Sequence, residues 1–153
     1  MLQAVKKTKA AKSGGAFAIV ASRYNARYVD GMLNAAVREL KRAGAKVQIV
    51  RVPGAYEIPV VVAKLSARRV PPAAIICLGV ILRGETTHAQ HIGEAVSQAL
   101  MHIQITHGVP VIHEVLLLEN KQQAEVRCLD PKHNRGMEAA QTALEVASVM
   151  AAI

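Results

Sequence analysis

The run Ala73-Ala74-Ile75-Ile76-Cys77-Leu78-Gly79-Val80 carries no charged or hydrogen-bonding side chain beyond one thiol. Side chains alternate between the two faces of a strand, so a strand built from this run is apolar on both faces and needs cover from two layers. Ala16-Phe17-Ala18-Ile19-Val20-Ala21 repeats the pattern. Such strands belong in a parallel sheet enclosed by helices, and the intervening segments supply the helices.

After the first strand, Val29, Met32, Leu33, Ala36, Val37 and Leu40 recur at helical spacing, with Gly44 as a stop. Val47-Gln48-Ile49-Val50-Arg51-Val52 reads as a second strand, ended by Pro53-Gly54. A helix follows over 58–68, with Pro59 tolerated in its first turn. The third strand is expected over 73–80 and a long helix over 88–106, closed by Gly108 and Pro110. Residues 111–118 make a fourth strand, 120–127 a short helix, and a final helix starts near Asn134. Strand–helix alternation with right-handed crossovers predicts a flavodoxin-like three-layer α/β/α sandwich around a four-stranded parallel sheet. The expected organisation is a flexible basic arm over 1–15 and a single domain over 16–153.

Charge and composition narrow the function. Lys6, Lys7, Lys9 and Lys12 contribute half of the +8 net charge and precede the first strand. No zinc-finger spacing and no aromatic-rich strand accompanies them, so they read as a solvated tail and argue against a nucleic-acid partner. No apolar run approaches the roughly 18–20 residues that span a bilayer, and the first fifteen residues lack a signal-peptide core. The chain is expected to be cytoplasmic, with no membrane partner. Cys77 and Cys128 are far apart and read as reduced thiols.

Chemistry in such sheets belongs outside the carboxyl ends of the strands. There Gly84, Glu85, Thr86, Thr87 and His88 lead into a helix, and Thr87 with Gln90 has capping-box spacing. Free N–H groups at that helix start suit an anion, with Arg83 and the threonine hydroxyls as further donors; an unliganded helix start would read the same. His88 is placed either to move protons or simply to begin the helix. His88, His91 and Glu94 lack a metalloprotease spacing and converge too poorly for zinc, and His91 reads as incidental. Ala55, Tyr56 and Glu57 follow the second strand, where Tyr56 can stack on a ring and Glu57 can accept from hydroxyls or start a helix. Tyr24, after the first strand, can supply another aromatic wall.

Taken together these segments resemble the 6,7-dimethyl-8-ribityllumazine synthase family over residues 17–150. The resemblance rests on Ser-Arg-Tyr-Asn at 22–25, Val-Pro-Gly-Ala-Tyr-Glu-Ile-Pro at 52–59 and Gly-Val-Ile-Leu-Arg-Gly-Glu-Thr-Thr-His at 79–88. Gly-Val-Pro-Val at 108–111, Gln-Ala-Glu-Val-Arg at 123–127 and His-Asn-Arg-Gly-Met-Glu-Ala-Ala at 133–140 complete six matches in order.

The resemblance implies condensation of 5-amino-6-(D-ribitylamino)uracil with 3,4-dihydroxy-2-butanone 4-phosphate, without cofactor or metal. An imine forms, phosphate is eliminated and the ring closes to the lumazine. By position, His88 would transfer protons, Glu85 and Thr86 would hold the phosphate through the backbone, and Arg127 would pair with it. Val80, Ile81 and Leu82 would offer backbone hydrogen bonds to the pyrimidine, with Tyr24, Ala55, Tyr56 and Glu57 around ring and ribityl chain. The family's pocket lies between subunits of a homopentamer, which in some members builds a 60-subunit icosahedral shell, so His113, Arg127 and Arg135 would serve a neighbour's site. This chain has Ala89-Gln90 where the family commonly has an aromatic and an acid, and His113-Glu114 where Phe-Gly is usual. Those departures keep an alternative open: a self-assembling scaffold or a flavin- or pyrimidine-binding protein with lost or reduced activity.

Overall fold

The computed structural model describes residues 2–6 and 15–153. Strands β1 (Ala16–Ser22), β2 (Lys46–Val52), β3 (Ala74–Leu82) and β4 (Val111–Leu118) form one parallel sheet in the order β2-β1-β3-β4. Helices α1 (Ala26–Arg42), α2 (Ile58–Ser66), α3 (His88–His107), α4 (Lys121–Cys128) and α5 (Arg135–Ala152) connect and follow the strands. This is the expected three-layer architecture.

The two parities of the apolar strands face two cores. Phe17, Ile19 and Ala21 of β1, with Ile76, Leu78 and Val80 of β3, pack with α1, α4 and α5. Ala18, Val20, Ile75 and Cys77 face the opposite way, against Val62 of α2 and Val96 and Leu100 of α3. The double-sided apolar sequence of β1 and β3 therefore fits their central places in the sheet. At the edge, β2 is less covered: only Val52 is buried and Ile49 is exposed.

Most boundaries agree with the periodicity reading to within one residue, and two differ by two. The second helix stops at Ser66 rather than reaching residue 68, and Arg68 hydrogen-bonds Gln48 instead. β3 runs to Leu82, two residues beyond the expected end, because Ile81 and Leu82 pair with Leu117 and Leu118 of β4. Gly108 ends α3 in the left-handed conformation at φ 64°.

The start of α5 is fastened by a buried amide. Asn134 Oδ1 accepts from the N–H groups of Gly136 (2.8 Å) and Met137 (3.3 Å), while Nδ2 donates to the carbonyls of Cys128 (2.7 Å) and Gly31 (3.3 Å). One side chain thus caps α5 and ties it to α4 and α1. The helices meet so closely that a Cβ on Gly136 would lie 1.9 Å from the carbonyl oxygen of Met32.

Residues 7–14 of the expected basic arm, including Lys7, Lys9 and Lys12, lie outside the described residues. The described part, 2–6, lies over α5: Val5 N–H donates to Lys132 O (2.8 Å), and Gln141 Nε2 donates to Lys6 O (3.0 Å). Among the described residues no helix is long and apolar enough to cross a membrane. Both cysteines are buried and unpaired. Because the obstacle at Gly136 is backbone, Gly136→Ala is expected to cost more than about 3 kcal/mol, read as a lower denaturation midpoint.

Candidate active site

β1 ends at Ser22, one residue past its last pair with β3 (Ala21 with Leu78), whereas β3 continues to Leu82. The sheet order also reverses its direction of travel between these two strands, at the position where such folds open a crevice. A cleft of about 970 Å³ lies there. Tyr24 and Asn25 wall it from the β1–α1 turn, Gly54, Ala55, Tyr56 and Glu57 from the turn after β2, and Val80, Ile81 and Leu82 from β3. Gly84, Thr86, His88, Ala89, His91, Ile92 and Ala95 complete it from the α3 side.

Asn25, named in the sequence only within the 22–25 motif and given no role of its own, fixes the floor. It occupies the left-handed region (φ 56°), which asparagine tolerates better than most residues, and its Nδ2 donates to Val80 O at 2.7 Å. The side chain thereby stands in for the missing next residue of β1. In a parallel strand the N–H and C=O of one residue point to the same side. Since Arg83 N–H donates to Leu118 O on the β4 side, Val80 and Leu82 turn their backbone groups toward β1, where the ladder has stopped. Val80's carbonyl is engaged by Asn25 and Ile81 is paired with Leu117, which leaves Leu82 as the backbone presented to the cleft.

The walls are tied in place. Arg23 and Tyr24 N–H donate to the carbonyls of Val52 (2.8 Å) and Pro53 (3.0 Å), which joins the turns after β1 and β2. Glu57 Oε2 accepts from Gly54 N–H at 2.9 Å and closes the 3-10 turn Ala55–Glu57. Tyr24 and Tyr56 are 74% and 64% exposed, so two of the three tyrosines present uncovered rings at one cleft.

The α3 start departs from the capping-box expectation. Thr87 sits at φ −75°, ψ 0° rather than in the extended conformation of a capping residue, and its side chain makes no cap. Gln90 turns instead to Glu94 (2.9 Å), and Thr86 Oγ1 accepts from His88 N–H at 3.4 Å. Arg83, expected as a donor at this helix start, pairs with Glu119 (3.1 Å) and lines a different groove. His91, read as incidental, lines the cleft beside His88. Among the described residues no group of three or more His, Cys, Asp or Glu could hold a metal ion.

Glu85 is exposed on the loop but does not line the cleft. His113, Arg127 and Arg135 are also elsewhere. His113 lies on the α3-facing side of β4, and Arg127 on α4, where it donates to Gln123 O at 3.5 Å. Arg135 pairs with Glu138 at the start of α5. Among the described residues no lysine or arginine lines the cleft, although the chain carries nineteen of them.

An open parallel sheet with a ligand-sized cleft at its switch point, rimmed by exposed aromatics and a helix start, defines a doubly wound α/β protein built to bind a small molecule. Residues 14–151 match the family model of 6,7-dimethyl-8-ribityllumazine synthase, and the chain belongs to that family. It is 42% identical over 141 residues to the 6,7-dimethyl-8-ribityllumazine synthase of Xylella fastidiosa (strain 9a5c), covering 90% of this chain and 91% of that protein. It is 40% identical over 137 residues to the enzyme of the same name from Stenotrophomonas maltophilia (strain R551-3), covering 88% of each. The chain is accordingly a transferase of riboflavin biosynthesis.

Glu114 lies on the other face of β4 from His113. Burial pushes its carboxyl up to about 7; Arg135 opposes the shift and Glu138 adds to it. A carboxyl that binds its proton more tightly when folded loses stability as pH rises from its ordinary 4.5 to about 7. Glu114→Gln is therefore expected to stabilise the protein at pH 8 by about 1–3 kcal/mol. Denaturation at pH 8 and pH 4 checks it: the gain should vanish at the lower pH.

Proposed function

We propose that the cleft is one half of an active site in which 5-amino-6-(D-ribitylamino)uracil condenses with 3,4-dihydroxy-2-butanone 4-phosphate. The products are 6,7-dimethyl-8-ribityllumazine, phosphate and water. The carrying observation is that, among the described residues, no lysine or arginine lines the cleft beside its open helix start. A phosphorylated substrate needs a cation as well as N–H donors, and a neighbouring copy supplies it through Arg127.

The pyrimidine lies against the end of β3, where the Leu82 backbone, more than Val80 or Ile81, offers hydrogen bonds. Tyr24 and Tyr56 flank the ring, and Ala55 and Glu57 take the ribityl chain, with the Glu57 carboxylate accepting from hydroxyls. The phosphate sits at the α3 start on the backbone of Glu85 and Thr86. His88, in the first turn of the same helix, moves the protons of imine formation and phosphate elimination. His113 and Arg135 join Arg127 from the neighbour, His113 laying its ring on the pyrimidine. Holding two reactants in one geometry supplies much of the rate. No cofactor takes part.

The working unit on this reading is a cytoplasmic homopentamer, with the icosahedral shell a further assembly of it. Residues 16–153 act as one domain and the N-terminal arm as an appendage without a nucleic-acid role. Both relatives span nearly the whole chain, which supports reading it as one unit.

Formation of the fluorescent lumazine by the purified protein tests the assignment. Arg127→Ala is expected to lower kcat/KM by at least about 100-fold, and His88→Ala by about 10- to 100-fold. A wild-type rate no greater than the spontaneous condensation would refute the proposal. Mass photometry should show one species of five chains or of sixty, and a monomer with full activity would sink the shared site.

A further inference from the structure

We infer that Ser97 is a positioning residue for His113: it holds the ring in its Nε2–H tautomer and in one orientation, so that β4 presents a flat imidazole in a single pose. The inference rests on the reading of His113 as a residue offered to a neighbour's pyrimidine, and extends it to a residue with no assigned role.

The geometry fixes the proton's place from both ends of the ring. Ser97 Oγ lies 2.8 Å from Gly93 O, one turn back on α3, and a carbonyl can only accept. The hydroxyl has one hydrogen, spent there, so toward His113 Nε2 at 2.7 Å it acts as acceptor and the ring nitrogen carries the proton. At the other end, Val115 N–H donates to His113 Nδ1 at 3.1 Å, so that nitrogen holds its lone pair. The two contacts agree on one tautomer. Adding a second proton would turn Nδ1–H against a backbone N–H.

Partial burial acts in the same direction: it lowers the imidazole pKa, and the ring's own backbone opposes it more weakly. The charged groups lining the groove between α3 and β4 are engaged elsewhere, Arg83 with Glu119 and Glu94 with Gln90. Glu114 lies on the far face of β4, with Arg135 and Glu138.

A serine 2.7 Å from an imidazole also invites a nucleophile–base reading. That role needs Nε2 to take the serine proton. Here the hydrogen bond runs the other way, so the pair orients a ring and is not a nucleophilic dyad.

Magic-angle spinning NMR of the assembled protein, labelled with ring-15N histidine and assigned through His113→Gln, tests the lock. Wild type is expected to show His113 only as the Nε2–H tautomer, neutral below the ordinary imidazole range near pH 6.5. In Ser97→Ala the ring should lose its single orientation and, once turned off Val115 N–H, show the Nδ1–H tautomer as well. KM for the pyrimidine substrate should rise about threefold to tenfold, with kcat within about twofold. Ser97→Thr should restore both readouts. An Nδ1–H signal in wild type, or an unchanged ring spectrum in Ser97→Ala, would overturn the inference. A ring freed in Ser97→Ala with KM unmoved would uphold the lock and refute instead the placing of His113 against substrate.

Discussion

The site depends on one mismatch in length: β1 stops at Ser22 while its neighbour β3 continues to Leu82. A central strand that outruns its partner exposes backbone polar groups, and these must find other donors and acceptors. Asn25 satisfies the first, Val80 O, and in doing so turns the chain from β1 into α1 through a left-handed residue. The same turn carries Tyr24 to the rim. Past Asn25 the Leu82 backbone has no strand partner on that side, and this is where a flat ring with amide edges can complete the sheet's hydrogen bonding. A stop in one strand therefore creates the cleft, aims its backbone and places its wall.

How much of this was legible in the sequence follows from the range of the interactions. The layers were legible because β1 and β3 are apolar on both parities, and only central strands between two helical layers satisfy that. Tyr24, Tyr56 and His88 were legible as cleft residues because each follows a strand's carboxyl end within a few positions. Contacts between distant segments were not. The role of Asn25 depends on Val80, 55 residues away, and the diversion of Arg83 depends on Glu119 across the β3–β4 edge. The capping-box spacing at Thr87 and Gln90 misled for a local reason. Spacing specifies which side chains could reciprocate, but the cap also needs an extended Thr87, and the backbone there is not extended. His91 reads as incidental when only a zinc spacing is sought, although three positions along a helix from His88 is neighbouring placement on one face.

The distribution of charge gives the proposed assembly a physical motive. The described walls of the cleft are aromatic, apolar or uncharged polar apart from Glu57 and two histidines, beside an open helix start, while Arg127 lies on α4 and Arg135 on α5. A phosphate held by dipoles alone is held weakly in water, whereas an arginine brought in at an interface is desolvated and can bind with two parallel hydrogen bonds. In the proposed assembly, dividing the donors and the cation between two copies would make the complete site a consequence of association.

The β4 edge bears on the same interface. Register and alternation turn the N–H groups of Val111, Val115 and their odd-numbered neighbours away from β3, toward an edge that invites another strand. Gln104 Oε1 accepts from Val111 N–H at 2.8 Å, and His113 Nδ1 accepts from Val115 N–H at 3.1 Å. Two outward donors are thus occupied by side chains, which blunts the edge against strand addition. The second of these bonds is also half of the lock on the His113 tautomer. Phenylalanine, usual in the family at this position, would offer a flat ring but no acceptor. Histidine supplies both, provided that it stays neutral, and Ser97 is the contact that keeps the proton on the far nitrogen.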